Sequence, residues 1–236
     1  MEKLRYSHGI RDGLPICFAY LAVSFTFGLK VVQLGLRKLI GIIISATNLT
    51  SAGQFAGVKM IALSESFIII GLAVFVINSR YMLMSLSISQ FLPQNTSTLK
   101  RLIMSFFVTD EIFAVSYANR ERFCFKYFMG LATTPFIGWT TGTTLGVVVN
   151  SLLPATLQSA MGIALYCMFI AIIIPPARKS MPILFSIIIS VVLSCIFYFV
   201  PYINKVPMGI SVIICSITAS IISAIVFPVK GDIKNA

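Results

Sequence analysis

The stretch ILFSIIISVVLSCIFYFV, which runs from Ile183 to Val200, contains no charged residue and lies between Pro182 and Pro201. A second uncharged run, from Met208 to Phe227, is also bounded by prolines. A helix needs about 20 apolar residues to cross a hydrocarbon core about 30 Å thick, and both runs have nearly that length. The strands of a membrane barrel would alternate in polarity, whereas these runs are continuously apolar. The sequence therefore predicts membrane-spanning α-helices.

Composition extends this prediction to the whole chain. Of its 236 residues, 58% are hydrophobic and 11% are charged, and the mean hydropathy is +0.96. A soluble domain cannot bury so large an apolar fraction, so much of the surface must face lipid. We expect an all-α, polytopic helical bundle of about seven or eight transmembrane helices.

Charge and rare residue types exclude several classes of function. The net charge is +11, but the basic residues are scattered between the apolar runs and form no single face, which is typical of membrane-protein loops. The five cysteines lack the spacing of a metal site, and the single histidine, His8, lies outside the apolar runs. We therefore expect no nucleic-acid partner, no metal and no cofactor.

Apolar runs and the polar residues between them define candidate membrane spans. There are eight, at residues 13–29, 39–58, 66–92, 102–118, 127–150, 158–175, 183–200 and 208–228. No linker divides them, so we predict a single membrane domain over residues 1–236. If all eight cross, the positive-inside rule makes both termini cytoplasmic. Seven spans, or a re-entrant segment, stay open as alternatives.

Two of these spans contain polar stretches that do not suit contact with lipid. In the first, the residues from Asn48 to Gln54 favour a broken helix that lines a transport pathway near the membrane midplane. In the second, Gly138, Gly142 and Gly146 form consecutive GxxxG steps, which favour close packing between helices. The likeness of Gly13-Leu-Pro15 to the stretch that starts at Gly130 also indicates an internal repeat.

Three ionisable residues lie inside apolar segments, where a charge is costly and usually marks a pathway or an ion pair. Arg80 lies near the middle of the run 66–92, which is too long for a straight span and predicts a tilt or a break near Asn78. Asp110 and Glu111 lie midway along the next span, and neighbouring helical positions point about 100° apart. The two acids should therefore have different partners.

Two interpretations of these charges are open. In the structural one, Arg80 neutralises one of the acids without taking part in transport. In the functional one, the planar guanidinium of Arg80 binds a substrate carboxylate, and Glu111 or Asp110 receives a substrate ammonium or carries a coupling proton. Glu65 and Lys59 lie in a predicted loop and are expected to be solvated.

Five short motifs occur in a fixed order along the chain. They are Gly13-Leu-Pro15, Phe27-Gly28, Gln54-Phe55, Asn78-Ser-Arg80 and Thr109-Asp-Glu-Ile-Phe-Ala114. Together they resemble the AzlC family, the large subunit of branched-chain amino acid exporters. The resemblance extends from about Gly9 to the last span.

The resemblance implies export of leucine, isoleucine, valine and, by extension, methionine across a bacterial cytoplasmic (inner) membrane. It also implies a complex with a small AzlD-like membrane subunit. The pathway residues it indicates are Gln54, Asn78, Arg80, Asp110 and Glu111, to which the polar break adds Asn48. The chain departs from the family pattern at residues 49–53, which leaves its substrate range open, and at Tyr81, where many relatives have histidine.

Three classes of function compete at this point. A secondary exporter driven by an ion gradient is the leading one, because the sequence has no GxxxxGK[ST] nucleotide-binding motif. An intramembrane enzyme would use Arg80, Asp110 and Glu111, but neighbouring acids without a nucleophile or a metal-ligand histidine define no reaction. A non-transporting assembly subunit would use the row from Gly138 to Gly146 as its contact surface. We expect a transporter and not an enzyme.

Overall fold

The structure, a computed structural model, describes residues 4–93, 95–150, 154, 156, 170, 173–174, 177–178 and 180–228. Within these residues the chain forms α-helices and no strand, so the predicted all-α class is confirmed. The described helices are α1 (Tyr6–Gln33), α2 (Lys38–Thr47), α3 (Ser51–Ala62), α4 (Phe67–Phe91), α5 (Thr98–Phe106), α6 (Asp110–Ala118), α7 (Phe125–Val149), α8 (Met181–Phe199) and α9 (Met208–Val226).

The described residues fall into two compact units. One is drawn from residues 1–62 and 78–165, and the other from residues 63–77 and 166–236. The single membrane domain expected from the sequence stays a prediction. The candidate span 158–175 lies almost entirely outside the described residues.

Four of the described helices, α1, α4, α8 and α9, are long and apolar enough to cross a membrane. Within the described part of the chain, α8 has no buried residue and α4 has few. Large apolar side chains such as Phe67 and Leu83 are exposed on α4. Apolar faces of this extent suit contact with lipid or with another membrane protein.

Helices α1 and α7 form the centre of the first unit and pack with their backbones in contact. A Cβ atom added at Gly138, Gly142 or Gly146 would lie 2.5, 2.4 or 2.2 Å from a carbonyl oxygen of α1. Gly28 of α1 approaches α7 in the same way, with the Thr143 carbonyl oxygen 2.4 Å from its added Cβ. Only glycine permits these approaches, and small residues of this kind let membrane helices pack closely.

The two central helices run in the same direction, because their contacts follow one order, from Cys17 with Gly138 to Phe25 with Gly146. If α1, α4 and α7 all cross the membrane, the chain must make an odd number of crossings between α1 and α7. Helix α4 provides one of them. The α2–α3 and α5–α6 segments therefore either both cross, or both re-enter from opposite sides of the membrane.

Both of these segments are broken helices. The α2–α3 segment is interrupted at residues 48–50, where Asn48 adopts an extended conformation with φ −146° and ψ 113°. The continuous helix expected over residues 102–118 is also absent, because the chain breaks at residues 107–109 and restarts at Asp110 with Thr109 as its N-cap. Conversely, α4 continues through Asn78, so the break considered at that position does not occur.

We expect Gly142→Val to lower the thermal stability of the purified protein. The new side chain would meet the Leu21 carbonyl and the Ser24 hydroxyl, and overpacking of this kind costs about 1–3 kcal/mol. The matched control is Gly71→Val in α4, where an added Cβ meets no described atom within 4 Å. Unfolding midpoints measured in detergent should fall for the first variant only, and equal midpoints would contradict the close contact.

Candidate functional site

The polar and charged residues singled out from the sequence lie around the two helix breaks. The first break separates α2 from α3, and the second separates α5 from α6. Asn78 and Arg80 of α4 bond to residues at these breaks. We call residues 48–54, Asn78, Arg80 and residues 109–111 the helix-break site.

Gln54 holds the first break together. Its side-chain nitrogen donates hydrogen bonds to the carbonyl oxygens of Asn48 and, at 3.2 Å, of Ile44. These carbonyls lie at the C-terminal end of α2, where the last carbonyls of a helix lack partners within the helix. Its side-chain oxygen accepts a hydrogen bond of 3.1 Å from Nε1 of Trp139 on α7. Gln54 is 1% exposed, so it satisfies backbone groups that lipid could not.

The other polar residues of the first break form a short network. The Thr50 hydroxyl donates to Oδ1 of Asn48 at 2.7 Å and accepts from Nδ2 of Asn78 at 3.4 Å. Oδ1 of Asn78 is buried and has no hydrogen-bond partner among the described residues. A Cβ added at Gly53 would lie 2.9 Å from that oxygen. The network therefore leaves one buried acceptor available beside the N-terminus of α3.

The second break gives the two acids different partners, as their adjacent positions predict. Asp110 forms an ion pair with Arg80, with Oδ2 3.0 Å from an Nη atom. Glu111 instead accepts a hydrogen bond of 2.5 Å from the Tyr20 hydroxyl on α1. Both acids lie in the first turn of α6, where the positive end of the helix dipole favours negative charge. The location of the two acids at a helix start therefore lowers the energetic cost of their negative charge.

Arg80 is held by Tyr81 and Asp110, and one of its nitrogens has no partner among the described residues. Its guanidinium lies over the ring of Tyr81, 4.9 Å from the centroid, and donates to the Tyr81 hydroxyl at 3.1 Å. Its Nε has no hydrogen-bond partner among the described residues. The side chains of Arg80 and Asp110 are 42% and 37% exposed, so the described protein encloses the pair only in part. An ion pair that is only partly enclosed can exchange partners with a charged ligand.

Two aromatic residues that the sequence reasoning did not select connect the two breaks. The rings of Tyr20 and Trp139 meet edge to face, with centroids 5.3 Å apart and an interplanar angle of 73°. Trp139 bonds Gln54 at the first break, and the Tyr20 hydroxyl lies 2.7 Å from the hydroxyl of Thr109 at the second. Each break is therefore fixed to the α1–α7 core through one aromatic side chain.

A sequence signal existed for only one of these aromatic residues. Trp139 is the single tryptophan of the chain and lies in the polar stretch 130–146, and an indole N–H away from water needs an acceptor. Tyr20 lies in an ordinary apolar run, where a tyrosine carries no positional signal. The remaining predicted residues, Gly138, Gly142 and Gly146, lie against the backbone of α1. Among the described residues, no cluster of three or more histidine, cysteine or acidic side chains could hold a metal ion.

The prediction that Glu65 is only solvated is wrong, because its carboxylate is bonded to the backbone. In the second unit its carboxylate accepts hydrogen bonds of 3.0 and 3.3 Å from the backbone N–H of Gly209. Gly209 lies in the first turn of α9, whose unpaired N–H groups attract a carboxylate. Glu65 also lines a cleft of about 830 Å³ in this unit, together with residues that include Ile69, Phe197 and Ser211. The loop acid therefore caps a helix that is distant from it in sequence.

Comparison with known proteins gives one family and two relatives. A family model described as AzlC protein matches residues 15–153, which include the whole helix-break site. The chain is 29% identical to the inner membrane protein YgaZ of Escherichia coli strain K12, with 74% of each chain covered. It is 32% identical to an uncharacterized membrane protein of Archaeoglobus fulgidus, with 74% of this chain and 79% of the relative covered. No solved structure matches the chain.

We expect Gln54→Leu to destabilise the protein and to change the environment of Trp139. The substitution keeps the volume but leaves two carbonyls and an indole N–H without their partner, at about 1–3 kcal/mol for each buried group. Because the chain has one tryptophan, its fluorescence reports this site directly. The emission maximum and the unfolding midpoint should both shift, whereas the exposed control Gln33→Leu should change neither. An unshifted emission spectrum would show that Gln54 does not bond the indole.

Proposed function

The chain belongs to the AzlC family, and on that premise we propose that it exports branched-chain amino acids across a bacterial cytoplasmic membrane. The family and its membrane-protein relatives support a role related to membrane transport. The proposed substrates are leucine, isoleucine and valine, with methionine as an extension. The chain acts as the large subunit of a two-component secondary transporter.

The observation that carries this proposal is the exposed ion pair between Arg80 and Asp110. An amino acid is a zwitterion, so it offers one group of each sign in place of the two partners. Its carboxylate fits the planar guanidinium of Arg80, whose buried Nε has no hydrogen-bond partner among the described residues. Its ammonium fits the carboxylate of Asp110 or the unpaired oxygen of Asn78. A substrate that replaces both halves of the pair leaves no charge uncompensated.

The surroundings of the ion pair suit an aliphatic side chain. Tyr81, Met84 and Phe113 are partly buried and pack against the core that contains Tyr20 and Trp139. Apolar walls with a few polar groups are the usual composition of small-molecule sites. Apolar neighbours of this kind favour branched aliphatic substrates over polar amino acids, which would leave their side-chain groups unpaired.

The energy source and the partner complete the proposal. The sequence has no nucleotide-binding motif, so an ion gradient drives export, and Glu111 is the available carboxylate for coupling. A small AzlD-like membrane subunit covers part of the exposed apolar surface of the helices. Exposed faces such as those of α4 and α8 are compatible with such a partner as well as with lipid.

Cells that lack this protein should accumulate branched-chain amino acids when they are fed dipeptides containing them. Loss of export raises the internal pool because peptide hydrolysis continues. The measurement is intracellular leucine, isoleucine and valine in deleted, intact and complemented strains, with alanine from an alanyl dipeptide as the control. Equal pools of the three amino acids in deleted and intact cells would remove the substrate assignment.

Arg80→Ala should abolish export, and the double variant Arg80→Gln/Asp110→Asn should separate the two interpretations of the ion pair. If the pair only neutralises charge, the double variant regains both protein level and transport. If Arg80 binds the substrate carboxylate, the double variant is abundant but inactive, which is the expected result. Arg80→Lys keeps the charge without the fork and should retain only partial activity. Flux is measured with protein levels matched by immunoblot.

A further inference from the structure

In the described part of the chain, Glu111 is bonded to a hydroxyl group and not to a cation. Its carboxylate lies 2.5 Å from the Tyr20 hydroxyl, and no cationic side chain lies within ion-pair distance of it in the described part of the chain. Arg80 instead forms an ion pair with the neighbouring Asp110. The carboxylate of Glu111 therefore interacts with one hydroxyl and with the positive end of the α6 dipole.

Three oxygen atoms form a short chain at this point. The Tyr20 hydroxyl lies between Oε2 of Glu111 at 2.5 Å and Oγ1 of Thr109 at 2.7 Å. A hydroxyl carries one hydrogen, so Tyr20 can donate to only one of these two oxygens at a time. It must accept a hydrogen from the other, and both Thr109 and a protonated Glu111 can provide one.

The chain of oxygens therefore has two arrangements that join the same pairs of atoms. With Glu111 ionised, Thr109 donates to Tyr20 and Tyr20 donates to Glu111. With Glu111 protonated, Glu111 donates to Tyr20 and Tyr20 donates to Thr109. Both arrangements keep the same two hydrogen bonds, so a change in protonation of Glu111 leaves no oxygen of the three without a partner.

The position of Tyr20 is fixed by packing. Tyr20 is 7% exposed and Thr109 is 2% exposed, and the Tyr20 ring lies against Trp139. Thr109 is itself fixed as the N-cap of α6, where its Oγ1 accepts from the backbone N–H of Ile112. Neither hydroxyl has to move its side chain for the hydrogen bonds to reverse, because rotation about each C–O bond is sufficient.

We propose that Tyr20 is the positioning residue that lets Glu111 take up and release the coupling proton, by reversing the hydrogen bonds of the Thr109–Tyr20–Glu111 chain. This inference rests on the proposed function and extends it. A proton from water on one side forms the O–H bond of Glu111, and the bond breaks when the proton leaves to water on the other side. Tyr20 and Thr109 keep their own protons throughout.

Other ionisable groups surround Glu111 and must be considered with it. They are Asp110 on the same helix, Arg80 and Tyr81 on α4, and Tyr20 on α1. Arg80 and Asp110 balance each other, and Tyr81 bonds Arg80. Glu111 is therefore the acid whose charge can change without breaking an ion pair.

The first test is the pH dependence of leucine transport by Tyr20→Phe. Everted membrane vesicles are prepared from cells that express the full chain with the proposed AzlD-like subunit. Leucine uptake driven by a pH gradient should fall roughly tenfold, and the midpoint of its pH profile should move up by about one unit, because the ionised acid loses a charge-assisted hydrogen bond. Leucine exchange without a gradient should stay within about twofold of the unmodified protein, because exchange needs no net proton step.

The matched control is Tyr127→Phe. The Tyr127 hydroxyl is also bonded to a carboxylate, at 2.7 Å from Oδ2 of Asp12, but it lies outside the helix-break site. Tyr127→Phe should keep the pH midpoint of the unmodified protein. A Tyr20→Phe midpoint equal to that of the unmodified protein, or an equal shift in Tyr127→Phe, would overturn the proposal.

Further variants test whether Tyr20 acts through Glu111 and whether Thr109 belongs to the chain of oxygens. In a Glu111→Gln background, adding Tyr20→Phe should have no further effect on gradient-driven transport, because the proton carrier is already absent. Thr109→Ser keeps the hydroxyl and the helix cap, so its pH profile should match that of the unmodified protein. Thr109→Val loses the hydroxyl, so its pH profile should shift. Additive losses in the double variant, or identical profiles for Thr109→Ser and Thr109→Val, would count against the oxygen chain.

An infrared titration of the purified complex distinguishes failure of this inference from failure of the proposed function. The protonated carboxyl band that is lost in Glu111→Gln should titrate, and its midpoint should shift in Tyr20→Phe. If the unmodified protein moves no leucine at any pH, the proposed function is wrong, and the infrared band still tests the Tyr20–Glu111 pair. If leucine moves but the band does not shift in Tyr20→Phe, the inference alone is wrong.

Discussion

The backbone contact between α1 and α7 is the constraint on which the rest of the first unit depends. The glycines at this contact have no side chain, so the two helices approach as closely as helices can. This approach brings Tyr20 of α1 and Trp139 of α7 edge to face. Each aromatic residue then supplies one polar group to one helix break. A wider separation of α1 and α7 would leave Gln54 and Glu111 without these partners.

The two breaks solve the same problem in different ways. A broken helix in a membrane leaves backbone groups without partners, and lipid offers none. At the first break an uncharged amide, Gln54, bonds two of the carbonyls that end α2. At the second break Thr109 caps the new helix, and the acids that follow it interact with the helix dipole. The first solution is fixed and neutral, whereas the second contains groups that can change charge or partner.

The sequence predicted the long apolar helices, the close-packing glycines and the different partners of the two acids. It did not predict the break at residues 107–109, because residues 102–118 form an apolar run of nearly the length of a membrane span. The signal was present as Thr109 followed by two acids, a pattern typical of a helix start. The sequence could not show that Asp110 and not Glu111 is the partner of Arg80. Adjacent positions on a helix show only that the two side chains point in different directions. Gln54 of α3 caps α2 because the chain folds back at the break. No local sequence pattern indicates this fold.

The parallel direction of α1 and α7 also limits how an internal repeat could be arranged. Both helices contain a proline in their first half, Pro15 in α1 and Pro135 in α7. Both pack through glycines at the same contact, and they point the same way. A repeat that relates α1 to α7 is therefore of the parallel kind, with its axis along the membrane normal, and not of the inverted kind. In a parallel repeat, the pair α1–α7 lies at the interface between the two halves. Because Tyr20 and Trp139 come from this pair, the aromatic contact that fixes both breaks would lie at the junction where halves of a transporter move against each other.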